Sequence, residues 1–136
     1  MYQAAIDSEL EIYLIDAMSY MNKKQQITEY DPQDGKKRIK WESRKGLKTT
    51  EGGFQSPATR LEHEFAHAIN QSYHGPEYRD RKKNPNRYYF NEEEKFVIEG
   101  AETKTALANG EDIRKNHYGT TYDVYSSDST IPLNGW

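Results

Sequence analysis

Residues 57 to 74 read Pro57-Ala-Thr-Arg-Leu61-Glu-His63-Glu64-Phe65-Ala-His67-Ala-Ile69-Asn-Gln-Ser-Tyr-His74. At their centre lies the pattern H-E-x-x-H. On a helix, positions i and i+4 stand one above the other on the same face. His63 and His67 can therefore grip one metal ion from a single rigid element. Glu64, the next residue round, can reach a water on that ion. The flanks predict the helix. Leu61, Phe65, Ala68 and Ile69 recur at i, i+4, i+7 and i+8, an apolar stripe. At about 100° per residue it lies roughly opposite the histidines. Ser56 followed by Pro57 has the form of an N-cap and first helical residue, and Gly75-Pro76 predicts the stop. The plainer alternative is two exposed histidines on a solvated face with Glu64 as a surface charge. The helical frame and its apolar opposite face favour the metal site.

Working outward, a chain of 136 residues fits one domain over 1–136. Only 34% of residues are hydrophobic and 30% are charged, so the core must be small. Eleven Tyr, four Phe and two Trp must supply much of its apolar area. The absence of cysteine excludes a disulfide framework, a thiol nucleophile and a Cys-based zinc site, and leaves the compartment open. No apolar stretch is long enough for a membrane span, and no signal-peptide core opens the chain. The expectation is a protein secreted or delivered into a target cell without a cleavable signal in this chain, whole or as a domain of a longer one. A cytoplasmic location stays open. A net charge of -3 argues against a nucleic-acid partner. The basic runs Lys36–Lys48 and Arg79–Lys83 read as solvated surface, or as a rim that attracts an acidic substrate segment.

The elements expected around the motif make an α+β protein. Ile6, Leu10, Tyr13, Leu14, Ala17, Met18 and Met21 predict an N-terminal helix over 3–21. Gln26–Tyr30 and Arg38–Glu42 predict a β-hairpin across the Asp31-Pro-Gln-Asp-Gly35 turn. Another weakly extended piece lies between Lys45 and Gly53. Such a sheet, placed beside a metal cleft, can take up a peptide by strand addition. Residues 75 to 90 read as irregular. A second helix is expected from Glu92 to Asn109, capped by Asn91, with Val97, Ala101, Thr105 and Ala108 on its inner face and Gly100 as a kink or close crossing.

Two histidines need a third protein ligand and one open position for a catalytic zinc. Candidates are Glu92, Glu93, Glu94, Glu99, Glu102, His74, His117 and Asp123. Tyr73 and Asn70 break the pattern that carries a third histidine ten residues on. A glutamate from the second helix is then the leading choice: Glu94 first, Glu93 second. Glu94 also occupies the capping-box position after Asn91. Glu102 is read as a surface charge, with orientation of a ligand histidine as the alternative. Residues 120 to 136 are either a substrate wall or an aromatic-packed tail.

Pro57-Ala-x-x-Leu-x-His-Glu-x-x-His-Ala68, Glu93-Glu94, Gly100-Ala-Glu102 and Gly110-Glu-Asp-Ile-Arg114-Lys-Asn-His117-Tyr-Gly119 together resemble the zinc metallopeptidases that bacteria use as injected effectors and polymorphic-toxin domains. Their order is also similar to the core of clostridial neurotoxin light chains. The resemblance covers about residues 57 to 119 and implies a minimal zincin-like (gluzincin-like) fold. It implies Zn2+ held by His63, His67 and Glu94, with Glu64 as general base and Arg114 steadying the oxyanion. His117 stands where those enzymes carry tyrosine; it reads first as an ordinary loop histidine, with a hydrogen-bond donor to the reaction as the alternative, and Arg114 reads equally as a surface or helix-end arginine. The function implied is a zinc-dependent endopeptidase of effector or toxin type, acting on a protein or peptide and countered by a cognate immunity or inhibitor protein. Two alternatives are a non-catalytic zincin-like binding domain and a hydrolase of another amide, such as a cell-wall peptide.

Overall fold

The computed structural model describes residues 12–16 and 28–135. Helix α1 (Pro57–Tyr73) forms where the motif predicts it. Ser56 is extended, and its hydroxyl accepts the Thr59 N–H at 3.3 Å. Leu61, Phe65 and Ala68 are buried, and so are His63 and His67 on the other side. Covered on both flanks, α1 is an interior helix rather than a surface one.

Against its apolar side lies a sheet of β1 (Ile12–Asp16), β3 (Lys37–Trp41) and β2 (Glu29–Tyr30), in that spatial order. β2 and β3 are the expected hairpin, antiparallel with Tyr30 opposite Ile39. Its turn uses Asp34 and Gly35 at φ 52° and 75°. β1 overturns the N-terminal helix: Ile12–Asp16 is a strand parallel to β3, with Leu14 opposite Ile39. The rest of that expected helix lies outside the described residues. The run Ile12-Tyr-Leu-Ile15 is β-branched and aromatic, and short apolar runs fit either period. Pairing with β3 supplies the backbone partners that decide it. Ile39, Leu61 and Phe65 form the core cluster, with Ile12, Tyr30 and Trp41 packed on it. Trp41 Nε1 donates to the Pro57 carbonyl at 2.9 Å, tying β3 to the start of α1.

A second sheet runs β5 (Phe54–Gln55), β4 (Lys45–Lys48), β8 (Thr120–Asp123), antiparallel throughout. The segment after residue 119 therefore begins as a strand. Residues 75 to 90 are not irregular. Gly75-Pro76 does end α1, but a proline in the first turn also starts α2 (Gly75–Lys83). Glu77 near its N-terminus and Arg81, Lys82 and Lys83 in its last turn suit the helix dipole. A tight hairpin, β6 (Pro85–Asn86) and β7 (Phe90–Asn91), follows.

The second long helix is broken into α3 (Glu92–Val97), a π-helical segment Ile98–Glu102 and α4 (Thr103–Ala108). Asn91 caps it, its side chain accepting the Glu94 N–H at 2.9 Å. The Thr103 N–H reaches back to the Ile98 carbonyl, five residues away. A Cβ on Gly100 would meet nothing within 4 Å, so this glycine marks the break and not a close crossing. A π-turn holds an extra residue, and everything beyond it moves round by one position. The expected inner face of Val97, Ala101 and Thr105 becomes Val97, Ile98, Glu102 and Ala106, all buried. Among the described residues, no helix is long and apolar enough to cross a membrane.

Candidate metal centre

Packing of α3 and the π segment on α1 brings five side chains to one point. Nε2 of His63 and Nε2 of His67 lie 3.0 Å apart. Glu94 Oε1 lies 2.8 Å from the first and 2.9 Å from the second. Behind the rings, His63 Nδ1 meets Glu102 Oε1 at 2.7 Å, and His67 Nδ1 meets Glu93 Oε2 at 2.8 Å. The adjacent glutamates thus divide the work. Glu94 faces the Nε2 atoms, and Glu93 turns back to Nδ1, which places the second choice of ligand behind a histidine instead of on the metal side.

Each backing carboxylate is itself held. Arg114 Nε donates to Glu102 Oε2 at 2.9 Å, and its Nη2 donates to Oε1. Gln55 Nε2 adds a bond to Oε2 at 3.2 Å. Arg81 Nε donates to Glu93 Oε1 at 2.8 Å, and Asn70 adds a bond to Oε2 at 3.1 Å. The Arg81 guanidinium also stacks on the Phe96 ring, 3.9 Å from its centroid. Two parallel Arg–Glu–His chains result, one for each histidine.

The donor set fits a cation. An ionised carboxylate only accepts hydrogen bonds, so Nδ1 of each histidine carries a proton and donates it outward. Both Nε2 lone pairs then point inward, at each other and at a carboxylate oxygen. Three converging lone pairs repel unless a positive charge sits among them. The proton affinities say the same. Burial works to lower the pKa of His63, but the Glu64 charge and the bonds to Glu102 and Glu94 prevail and raise it to about 10. For His67 too, the bonds to Glu93 and Glu94 outweigh burial and raise the value. Burial would raise the Glu94 carboxyl, yet hydrogen bonds from His117, His63 and His67 hold it far below the usual carboxylate range.

Glu64 stands at the rim. Its Oε1 accepts the Tyr30 N–H at 2.8 Å, and its Oε2 lies 4.0 Å from His63 Nε2. A strand backbone therefore fixes the carboxylate beside the cluster without filling it. His117 arrives from the loop before β8, with Nε2 3.2 Å from Glu94 Oε1, and stacks against Phe90. Phe90 has φ 75°, a conformation rare for a bulky residue and tolerated where surroundings impose it.

The cleft opens into two recesses that share Thr28, Glu64 and His117. One, of about 240 Å3, is bounded by Arg60, Arg114, Leu47 and Gly119. The other, of about 220 Å3, is bounded by Tyr30, Tyr78, Phe90 and Glu94.

All the leading site residues from the sequence meet here: His63, His67, Glu94, Glu64, Arg114 and His117. Of the remaining ligand candidates, Glu93 and Glu102 stand behind the histidines and the other four lie elsewhere. His74 caps α1 at its exposed C-terminus, Glu92 accepts from Asn86, Glu99 is exposed and Asp123 pairs with Lys45. Glu102, read as a surface charge, is 1% exposed. Arg60 and Tyr30 carried no sequence signal of a role, and Arg81 figured only in the basic run Arg79–Lys83, read as solvated surface or a substrate rim. Comparison with models of protein families, with curated proteins and with solved structures gives no match.

Proposed function

We propose that this chain is a zinc-dependent endopeptidase with a zincin-like arrangement, of the effector or toxin type its motifs resemble. The observation that carries the reading is the convergence of His63 Nε2, His67 Nε2 and Glu94 Oε1, with a pinned carboxylate beside them and an open cleft on the remaining side. Two imidazoles and one carboxylate with an open position suit zinc at a catalytic site. When bound, zinc supplies a water acidified to near neutrality and a Lewis acid for a carbonyl.

The protein groups then have separate tasks. Glu93 and Glu102 hold the imidazoles in the tautomer that turns Nε2 inward. Glu64 accepts the proton of the attacking water and passes it to the leaving amine. Its hydrogen bond from Tyr30 keeps one oxygen occupied and the other directed at the reaction point. Arg114 acts mainly through Glu102, and it also lines the recess where negative charge would develop on the carbonyl oxygen. His117 steadies Glu94 and can donate to the same oxygen. A binding module would use the Glu64 oxygen that accepts the Tyr30 N–H, but would have no task for the other one.

The test is Glu64→Gln. Zinc is measured by elemental analysis and activity by release of peptides from unfolded casein. Zinc should stay near one per chain while activity falls about a hundredfold or more. A zinc-free wild type, purified without chelator and still zinc-free after zinc is supplied, refutes the metal centre. Equal proteolysis by both proteins refutes the peptidase and leaves the metal standing.

A further inference from the structure

We propose that the recess beside Arg60 is a subsite for an acidic side chain, and that it selects a substrate with Asp or Glu next to the bond that is cut. This rests on the endopeptidase reading and adds the chemistry of its substrate.

Arg60 lies on α1 one turn before Glu64, on the same face. A group held there is about one or two residues along an extended peptide from the reaction point. The Arg60 side chain is only 12% exposed, yet it is poorly neutralised. Nη1 donates to the Lys45 carbonyl at 2.8 Å, a neutral partner. Its carboxylate partner, Glu42, stands 3.5 Å from Nη2, long beside the ~2.7–2.9 Å of a charge-assisted bond. Burial, with the neighbouring Arg114 charge, lowers the Arg60 guanidinium pKa by more than Glu42 and Glu64 restore. Burial likewise raises the Glu42 carboxyl, against Arg60 and Lys45. A cation in a low-dielectric wall with so distant a partner attracts a further anion.

The rest of the recess agrees. The titratable groups that line it are Arg60, His63, Glu64, Arg114, His117 and Tyr118. Glu42 and Glu102, the partners of the two arginines, are buried behind the wall at 3% and 1% exposure. Both arginines line the cavity, and neither of their partner carboxylates does. Glu64 is the acid on this lining, at its inner end beside the metal cluster. Across the cleft, the other recess carries Glu29, Glu64, Glu93 and Glu94 against Lys82, His67 and His117. The two sides differ in sign, and an acidic side chain has one favourable place to go. The volume of about 240 Å3 has room for one such side chain and its water.

The experiment uses zinc-loaded protein and a peptide library made by digesting a cell proteome, with cut sites identified by mass spectrometry. Asp and Glu should be enriched at one position flanking the cut. A synthetic peptide from a preferred site should lose about tenfold or more in kcat/KM when its acid is changed to the amide, the worth of one hydrogen bond to a charged group. Glu64→Gln protein should bind the acidic peptide more tightly than the amide one by a similar factor, read by calorimetry. Arg60→Gln should bring both ratios to about one. Because Arg60→Gln leaves Glu42 buried and unpaired, the double variant Arg60→Gln/Glu42→Gln is measured beside it, with thermal unfolding as the check on folding. Cut sites with no acidic enrichment overturn the subsite alone, as does a preference that survives in the folded double variant. No cleavage of any library peptide by the wild type overturns the endopeptidase reading and the subsite with it.

Discussion

Glu102→Gln is the sharpest test of how the histidines are held. The carboxylate accepts four hydrogen bonds: from His63 Nδ1 at 2.7 Å, from Arg114 Nε at 2.9 Å and from its Nη2, and from Gln55 Nε2 at 3.2 Å. Every partner is a donor. An amide of the same shape presents one oxygen and one NH2, so one end now faces donors. If the NH2 turns to His63, the ring must move its proton to Nε2, and the lone pair meant for the metal is lost. If it turns the other way, it faces the Arg114 Nε and Gln55 Nε2 donors, and the buried guanidinium keeps one acceptor in place of two. Loss of such a backing group weakens metal binding about 10–100-fold, or ~1.4–2.8 kcal/mol. The assay is competition for zinc against a coloured chelator, with thermal unfolding measured with and without zinc. Glu99→Gln, an exposed change three residues away, is the control and should bind zinc as the wild type does. A folded Glu102→Gln protein whose zinc affinity stays within about twofold of the wild type would show that His63 is positioned without its carboxylate and would refute the reasoning.

Two further outcomes follow from the same geometry. In the metal-free protein, the His63 pKa is raised from 6.5 to about 10, so its contribution to stability is full below about pH 6.5 and is lost as pH rises through about 10. Unfolding temperatures of the metal-free protein should therefore fall across that window, while zinc-loaded protein, with Nε2 occupied, changes less; a flat metal-free profile counts against the converging lone pairs. Gly119 has φ 153°, and a Cβ there would lie 2.8 Å from both Leu47 Cδ1 and the Lys48 carbonyl. Gly119→Ala should destabilise the protein by about 1–3 kcal/mol in denaturant unfolding, and an unchanged midpoint would contradict the packing of β8 on β4.

The centre was legible in the sequence to different depths. His63, Glu64 and His67 follow from periodicity because an α-helix sets their relation at once. Glu94 could be ranked among the glutamates, but its neighbour Glu93 is separated from it only by a turn of about 100°, and side-chain direction comes from docking against α1. Glu102 was placed on the wrong face for a definable reason. Regular helical counting puts Ala101 inward, and the extra residue of the π-turn at Gly100 substitutes Glu102. Ile12–Asp16 shows the opposite limit, since an apolar run takes the period of whatever pairs with it, and its partner β3 is more than twenty residues away. Arg60 and Arg81 could not be singled out because their importance lies in partners brought together by folding.

The two halves of the centre come from distant parts of the chain, and a cation between them would act as a cross-link. His67 and Glu94 are 27 residues apart, and no disulfide can fasten those segments in a chain without cysteine. Fastening a loop of that length on the scale used for disulfides is worth about 3–4 kcal/mol, a large share of the ~5–15 kcal/mol that holds most domains folded. For a chain in which only 34% of residues are hydrophobic, zinc would serve as the rivet as well as the reagent. Under the endopeptidase reading, stability would then rise with the same ion that supplies the chemistry: a chain reaching a metal-poor environment would be both inert and easier to digest, and one that acquires zinc would become active and more durable in the same step.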